Sequence, residues 1–445
     1  MGGRAFADQG LHTPRMPETV YRAVLEQVES KFREHFTHVA HPVEAPGKST
    51  YGDIDVLVAE PIDPTPKGDS LHSRFLAEII GGERYVTAPG SSTTNIAIRW
   101  PKDLTGDIPP ADVKSASGIV VCSQTTWIQV DVQICPTVDV MNWMLFLHAH
   151  GDLCSMLGGI IRRFGLINTQ KGFFLRIEEA EKHNKEQSRV KMTTDPSQVL
   201  EYMGLDVERY GQKFSTLDEM MSYAATCRFH DPGRWKEKNR EALKANDRQR
   251  ANKRPAFAYW TDTFLPEHSD GAPGTAAHLT RDDVIEDAKR FFGNEFAARF
   301  DERKETLVRQ IAILNLWATI RKSITAEGAK VTYAMKGLKA AITSTDGYDF
   351  NLADDPDPEF QAQIQKVRSA YAAERYDEVE EWGLTNWEEI ATRQERLDKA
   401  KSHQHFLKER QREAIIAEES GGSEGSTEHQ SEEPPQLINS TGVQG

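Results

Sequence analysis

Two aspartates at the start of an apolar strand constrain the fold of this chain more than any other feature. The segment at 52–58 reads Gly-Asp-Ile-Asp-Val-Leu-Val, which is strongly β-prone, and Pro61 is expected to end it. Side chains two positions apart in a strand share a face, so Asp53 and Asp55 should project together while their neighbours pack inward. Two carboxylates this close repel each other unless a cation lies between them. A divalent ion with oxygen ligands, above all magnesium, would suit them, although an Asp-x-Asp is equally typical of a turn.

A third aspartate lies in the middle of another predicted strand. Residues 127–134 alternate as Trp-Ile-Gln-Val-Asp-Val-Gln-Ile and present Gln129, Asp131 and Gln133 on one face. A carboxylate at this position is costly unless it is paired or bound to a metal ion. The alternative is a strand whose polar face meets solvent, which the two glutamines would also suit. If the two strands are neighbours, three carboxylates converge, as two-metal phosphoryl transfer requires.

The motifs along residues 20–206 resemble the palm and thumb of the family X DNA polymerases, the DNA polymerase beta-like nucleotidyltransferases. The first strand is similar to that family's Gly-Asp-x-Asp-Val-Leu-(x)3-Pro. A strand with a single metal-binding Asp and a Pro follows in the family, and residues 130–136 resemble it. Residues 162–168 and 171–176 are similar to the family's basic-Gly-Leu-x-(Asn/Ser) step and Gly-Leu-(x)-Arg strand. Residues 195–205 resemble its acidic turn and Leu-Gly-Leu helix.

This resemblance implies an α+β fold, with a nucleotidyltransferase-type palm built on a mixed β-sheet and a mainly helical C-terminal region. It implies that Asp53, Asp55 and Asp131 are metal ligands and catalytic residues, with Mg²⁺ or Mn²⁺ as the cofactor. The donor would be an NTP or a dNTP. The acceptor would be a hydroxyl, with an RNA or DNA end as one candidate.

The segment that should grip the triphosphate departs from the family pattern. Counting back from Asp53 puts Pro and Val where the family has Gly-Ser, and Pro where it has its last Arg. The predicted nucleotide contacts are the small and basic residues that remain: Gly47, Lys48, Ser49 and Gly151. The departures leave two alternatives open. One is a catalytically degenerate fold that binds nucleotide or nucleic acid, and the other is transfer to a small molecule or a protein.

The chain is acidic, with a formal charge of −14, but one stretch of it is basic. Residues 234–254 contain nine Lys or Arg against three acidic residues, with a Trp near the start and aromatics just after. Such a patch is the best candidate for a contact with RNA or DNA, and a solvated amphipathic helix is the alternative. The predicted nucleic-acid contacts are basic side chains: Arg234, Lys236, Lys238, Arg248, Arg250, Lys253 and Arg254.

Cysteine usage and hydropathy predict where the protein resides. The four cysteines are scattered without a CxxC pair, which favours a reducing, intracellular compartment, cytoplasmic or nuclear. No apolar run approaches the about 20 residues needed to cross a bilayer, so no membrane partner is expected.

Composition and motif order predict six segments along the chain. These are an N-terminal arm (1–19), a palm (20–150), a thumb-like subdomain (151–206), a helical domain (207–350), C-terminal helices (351–417) and a disordered acidic tail (418–445).

Overall fold

The computed structural model describes residues 3–63, 69–107, 125–235, 245–269, 275–343 and 358–421. The chain divides into two compact units, Met1–Val308 and Arg309–Gly445. The fold combines helices with a mixed β-sheet and ends in a mainly helical region, so the predicted fold class is confirmed. The six-part division stays a prediction, and its tail from residue 422 onward lies outside the described residues.

A five-stranded sheet carries the two predicted aspartate strands. The five strands are β2 Phe36–Ala40, β4 Ile54–Pro61, β5 Arg84–Thr87, β6 Thr93–Arg99 and β7 Trp127–Cys135. Two short strands, β1 Met16–Pro17 and β3 Thr50–Tyr51, form a separate pair. The order is β2-β4-β7-β6-β5, and β1 pairs separately with β3. Strands β4 and β7 are parallel, and the other neighbours in the sheet are antiparallel.

Two helices, α1 Glu18–Arg33 and α2 Asp69–Ile80, cover one face of this sheet and form the core with its apolar side chains. The apolar spacing from Tyr21 to Phe36 predicts one helix that extends to Phe36, and this end is wrong. The helix ends at Arg33, and Phe36 begins β2 instead. Phe36 still reaches the same core, 6.2 Å from the ring of Phe32, so helical spacing alone could not reveal the change of element.

The chain continues with a small sheet among helices. The elements are α3 Val138–His148, α4 Leu153–Ile161, β8 Leu166–Thr169, β9 Gly172–Arg176, α5 Glu178–Glu181, β10 Arg189–Thr193, α6 Pro196–Tyr202, α7 Val207–Tyr210, α8 Leu217–Ala225, α9 Ala245–Lys253, α10 Pro255–Tyr259, α11 Leu265–Glu267 and α12 Arg281–Ser323. The sheet has the antiparallel order β10-β9-β8. No single helix in the described ranges is long and apolar enough to cross a membrane, although α3 and the stretch Leu153–Phe164, bent by 84°, meet that criterion as a pair.

The second unit contains α13 Ala329–Thr343, α14 Pro358–Ala372 and α15 Tyr376–Gly421 around an apolar core. Helices α13 and α15 approach closely at Gly337. A Cβ atom added there would lie 2.6 Å from Cγ2 of Ile390 and 3.2 Å from the carbonyl oxygen of the same residue. Only glycine therefore fits at this crossing.

We expect Gly337→Ala to lower the free energy of unfolding by about 1–3 kcal/mol, because overpacking outweighs the gain in helix propensity. Gly159→Ala in α4 is the matched control, since nothing lies within 4 Å of its added Cβ atom. That change should be neutral or stabilising by up to about 1 kcal/mol. Urea unfolding followed by circular dichroism measures both, and a Gly337→Ala protein as stable as its parent would contradict the packing described.

Candidate carboxylate site

The parallel pairing of β4 with β7 brings two of the predicted aspartates together. In its register Asp55 is the direct partner of Asp131, and Asp53 immediately precedes β4. The apolar neighbours fix the direction of these side chains, because Val56 and Val132 are buried in the core on the opposite face. The face that carries the aspartates is therefore set by burial of the alternate residues.

Two neutral side chains hold Asp131. The Nδ2 group of Asn95 donates to Oδ1 of Asp131 at 2.6 Å, and Nε2 of Gln129 donates to the same oxygen at 2.8 Å. Gln129 is only 3% exposed, so this part of the strand face is covered and does not meet solvent. The sequence did not identify Asn95, which lies opposite Asp131 on β6. The turn-prone residues 89–92 predict a hairpin over residues 85–100, and the place of Asn95 in that hairpin is the signal that could have indicated it.

Burial and repulsion from neighbouring carboxylates raise the pKa of Asp55 and of Asp131. Burial is the largest cause and raises the pKa of Asp131 to about 6; the hydrogen bond from Asn95 lowers it in part, and the charge of Asp53 raises it further. Asp55 keeps an exposed surface. Loss of hydration in the surrounding protein is nevertheless the largest cause that raises its pKa to about 7. Repulsion from Asp53 and Asp131 adds to this shift. The cluster therefore carries excess negative charge.

The predicted nucleotide contacts lie in two adjoining turns beside Asp55. Gly47 has φ +73°, and the exposed Lys48 and Ser49 follow it. The ammonium group of Lys48 donates to Glu44, and both charges act on Asp55. The second turn contains Gly151, with φ +65°.

The two turns contact each other directly. The amide of His150 donates to the carbonyl oxygen of Val43 at 2.7 Å. A Cβ atom added to Gly151 would lie 2.8 Å from Cβ of Ala45, so a larger residue would separate the two turns. The four residues predicted to bind nucleotide therefore share one region, and their role stays a prediction.

The predicted basic stretch is partly neutralised by this chain's own carboxylates. Arg250 donates to the buried Asp247 at 2.8 Å, and Arg254 donates to Asp152 at 2.5 Å. Arg234 and Lys253 are exposed, as is Arg248, whereas Lys236 and Lys238 lie outside the described residues. Because Asp152 follows Gly151, the bond from Arg254 brings the end of the stretch next to the candidate site.

The N-terminal arm closes one side of the site, which the sequence did not predict. The amide of Gly3 donates to Oδ2 of Asp53 at 3.2 Å, and the amide of Ala5 donates to Oε1 of Gln129 at 2.9 Å. Phe6 is fully buried and packs against Ala97 and Trp127 on the aspartate face of the sheet. Phe6 and the amides of Gly3 and Ala5 thus anchor the first residues of the arm at the site.

The donor chemistry and the present geometry give different answers on metal binding. Three carboxylates supply only oxygen ligands, which suits Mg²⁺ or Mn²⁺. Within the described ranges, however, no three His, Cys, Asp or Glu side chains are arranged to hold a metal ion. The Gly3 amide bonds Oδ2 of Asp53, so an ion held by all three carboxylates would use Oδ1 of Asp53 or displace that amide.

Comparison with known proteins gives a limited answer. No protein-family model and no curated protein sequence matches the chain. Among solved structures, the chain is similar to the ternary primer/template complex of Leishmania infantum polymerase beta, with 13% sequence identity and a TM-score of 0.30. The similarity covers 45% of this chain and 77% of that one. A superposition this loose establishes neither fold nor function.

Gly3→Ala should release the arm from Asp53. An added Cβ atom would lie 2.2 Å from the carbonyl oxygen of Gly52, and Gly3 has φ +76°. Gly10→Ala is the control, because φ is +69° there but nothing lies within 4 Å. Both changes should cost about 1–2 kcal/mol for the left-handed backbone, and Gly3→Ala should cost more. Hydrogen exchange at the Ala5 amide should accelerate in Gly3→Ala alone; equal protection in both variants would contradict the described seating of the arm.

The raised pKa of Asp55 predicts how stability depends on pH without metal. A carboxyl whose pKa is higher in the folded state favours folding when it is protonated, so stability falls as the pH rises from about 4 to about 7. Asp55→Asn removes this loss. In EDTA at pH 8 the variant should be more stable by on the order of 1 kcal/mol, since solvent screens the exposed carboxylate.

This advantage should shrink toward pH 4, and thermal unfolding across the pH range measures it. Asp63→Asn, an exposed carboxylate outside the site, is the control and should track the parent protein. An Asp55→Asn protein that unfolds at the parent's temperature at every pH would show that the carboxylates do not repel one another.

Proposed function

We propose that this chain is a metal-dependent nucleotidyltransferase. It moves a nucleotidyl group from an NTP or a dNTP to a hydroxyl and releases pyrophosphate. The observation that carries the proposal is the parallel pairing of β4 with β7, which sets Asp55 opposite Asp131 with Asp53 at the start of the same strand. Three carboxylates at one face of the sheet, without a Lys or Arg bonded to any of them in the described part of the chain, are suited to divalent cations.

Each side chain has a role in this proposal. Asp53 and Asp55 would hold both ions, and Asp131 would complete the site of the activating ion. When bound, Mg²⁺ or Mn²⁺ would activate the acceptor hydroxyl and stabilise the charge on the phosphate and leaving group. Asn95 and Gln129 keep Asp131 oriented through their hydrogen bonds to Oδ1, which leaves Oδ2 free of those two donors.

The donor nucleotide would lie against the two turns beside Asp55. Lys48 is the cation best placed for the triphosphate, and it would exchange Glu44 for a phosphate oxygen when the donor binds. Ser49 adds an exposed hydroxyl, and Gly47 and Gly151 allow close approach to the main chain. These contacts would replace the Gly-Ser and Arg grip that the sequence lacks.

An RNA or DNA end is the acceptor that the basic stretch supports best. Arg234 and Lys253 are exposed cations, and Arg254 reaches the loop beside Gly151 through Asp152. The phosphates of an RNA or DNA strand bound with its end at the carboxylates would therefore contact these cations. A small-molecule or protein acceptor would not need this stretch.

A specific observation also favours the catalytically degenerate alternative. The Gly3 amide takes one oxygen of Asp53, and no three His, Cys, Asp or Glu side chains in the described residues are arranged to hold an ion. A fold of this kind would bind nucleotide or nucleic acid without turnover. Catalysis and binding must therefore be measured on the same preparation.

Transfer of label from each α-labelled NTP and dNTP, with Mg²⁺ or Mn²⁺, over RNA, DNA and no acceptor tests the proposal. Asp131→Asn should lower turnover roughly a thousandfold, because losing an ion's ligand removes several kcal/mol of transition-state stabilisation. Gln133→Asn is the control, since this side chain lies on the same strand face but bonds Ser92 and not the carboxylates. It should retain parental turnover.

The outcomes separate the alternatives. Unchanged turnover in Asp131→Asn would remove the carboxylates from the mechanism. Nucleotide binding by the parent protein without turnover on any acceptor would establish the degenerate fold. Label transfer that needs neither RNA nor DNA would assign a small acceptor.

A further inference from the structure

A basic cavity of about 910 Å³ includes none of the three aspartates in its lining. Helix α4, strands β8 and β9, residues 181–189 and helix α9 form its walls. Six cationic side chains line it against one acidic side chain, Glu181, in a protein whose net charge is −14. The six are Arg162, Arg176, Lys182, Lys185, Arg189 and Arg250.

Carboxylates of this chain compensate only part of that charge. Arg162 and Arg250 share the buried Asp247, and Arg176 pairs with Glu181 at 3.1 Å. Lys182 and Lys185 are exposed, and neither has an ion-pair partner within the described ranges.

Three side chains that line the cavity have unsatisfied buried atoms. Oδ1 of Asn168, Nε of Arg176 and Nε of Arg189 are buried and have no hydrogen-bond partner. A buried polar atom without a partner is unfavourable, and native structures contain few of them. The two guanidinium Nε atoms are donors without an acceptor, which favours a ligand that accepts hydrogen bonds, whereas Oδ1 of Asn168 needs a donor.

We propose that this cavity binds a compact polyphosphate, either free or as the phosphate chain of a nucleoside triphosphate. Its volume falls in the range of small-molecule sites, roughly 300–1,000 Å³. One guanidinium group can bind two phosphate oxygens through two parallel hydrogen bonds. Lys182 and Lys185 add positive charge that has no ion-pair partner in the described ranges. The lining comes from four parts of the chain that surround the cavity. This shape suits a compact anion better than a continuous RNA or DNA strand. The cavity contains none of the predicted carboxylate or nucleotide residues, although it shares Arg250 with the basic stretch, so the proposal does not depend on the carboxylates.

Calorimetric titration with inorganic tripolyphosphate in EDTA tests the proposal on the full chain. Without divalent ions the aspartates repel the probe, so binding should report the cavity alone. We expect one molecule bound per chain. Lys182→Glu with Lys185→Glu should weaken Kd about a hundredfold, about tenfold for each charged hydrogen bond lost. Lys182→Gln with Lys185→Gln should weaken it less and guards against misfolding of the first variant.

A matched pair in the second unit, Lys366→Glu with Lys408→Glu, makes the same charge change on exposed lysines and should leave Kd unchanged. Asp55→Asn should also leave it unchanged. Competition with ATP distinguishes a nucleotide source from a free polyphosphate, and either supports the proposal. Absence of binding at millimolar probe, an equal loss in both charge-reversal pairs, or displacement by an oligonucleotide that lacks a terminal triphosphate would overturn it.

Discussion

The parallel contact between β4 and β7 is the constraint on which the candidate site depends. Strand β6 lies antiparallel on the other side of β7. Asp131 therefore lies between Asp55 on β4 and Asn95 on β6. A slip of one residue would turn Asp131 into the apolar core and bring Val130 or Val132 to the polar face. The buried valines therefore enforce the register that brings the carboxylates together.

Neutral hydrogen-bond donors orient the carboxylates of the site. Asp131 accepts from two side-chain amides, and Asp53 accepts from a main-chain amide. These donors are neutral, so they orient the carboxylates without cancelling their repulsion, and the pKa of Asp55 stays well above its ordinary value. The basic cavity shows the opposite pattern, since its cations outnumber the carboxylates that they meet. An acidic chain thus separates a negative centre from a positive one.

Local patterns predicted much of this architecture. Alternating residues gave β7, the turn near Pro89 gave the β5–β6 hairpin, and Asp195 caps α6 by accepting from the amide of Ser197. The sequence could not show what depends on distant contacts. Gly3 meets Asp53 across 50 residues and Ala5 meets Gln129 across 124, so no local spacing records them. The pairing of Arg162 with Asp247 and of Arg254 with Asp152 was hidden for the same reason, whereas Arg250 lies only three positions from Asp247.

The seating of the arm also affects how the protein should be handled. Since Gly3 bonds to Asp53, any residues attached ahead of it emerge beside the carboxylates. A polyhistidine tag fused there would hold imidazole groups next to a candidate divalent-ion site and could capture the metal itself. Apparent metal affinity would then belong to the tag. Removing such an extension before measuring ion binding or turnover is therefore a condition for assigning either property to the chain.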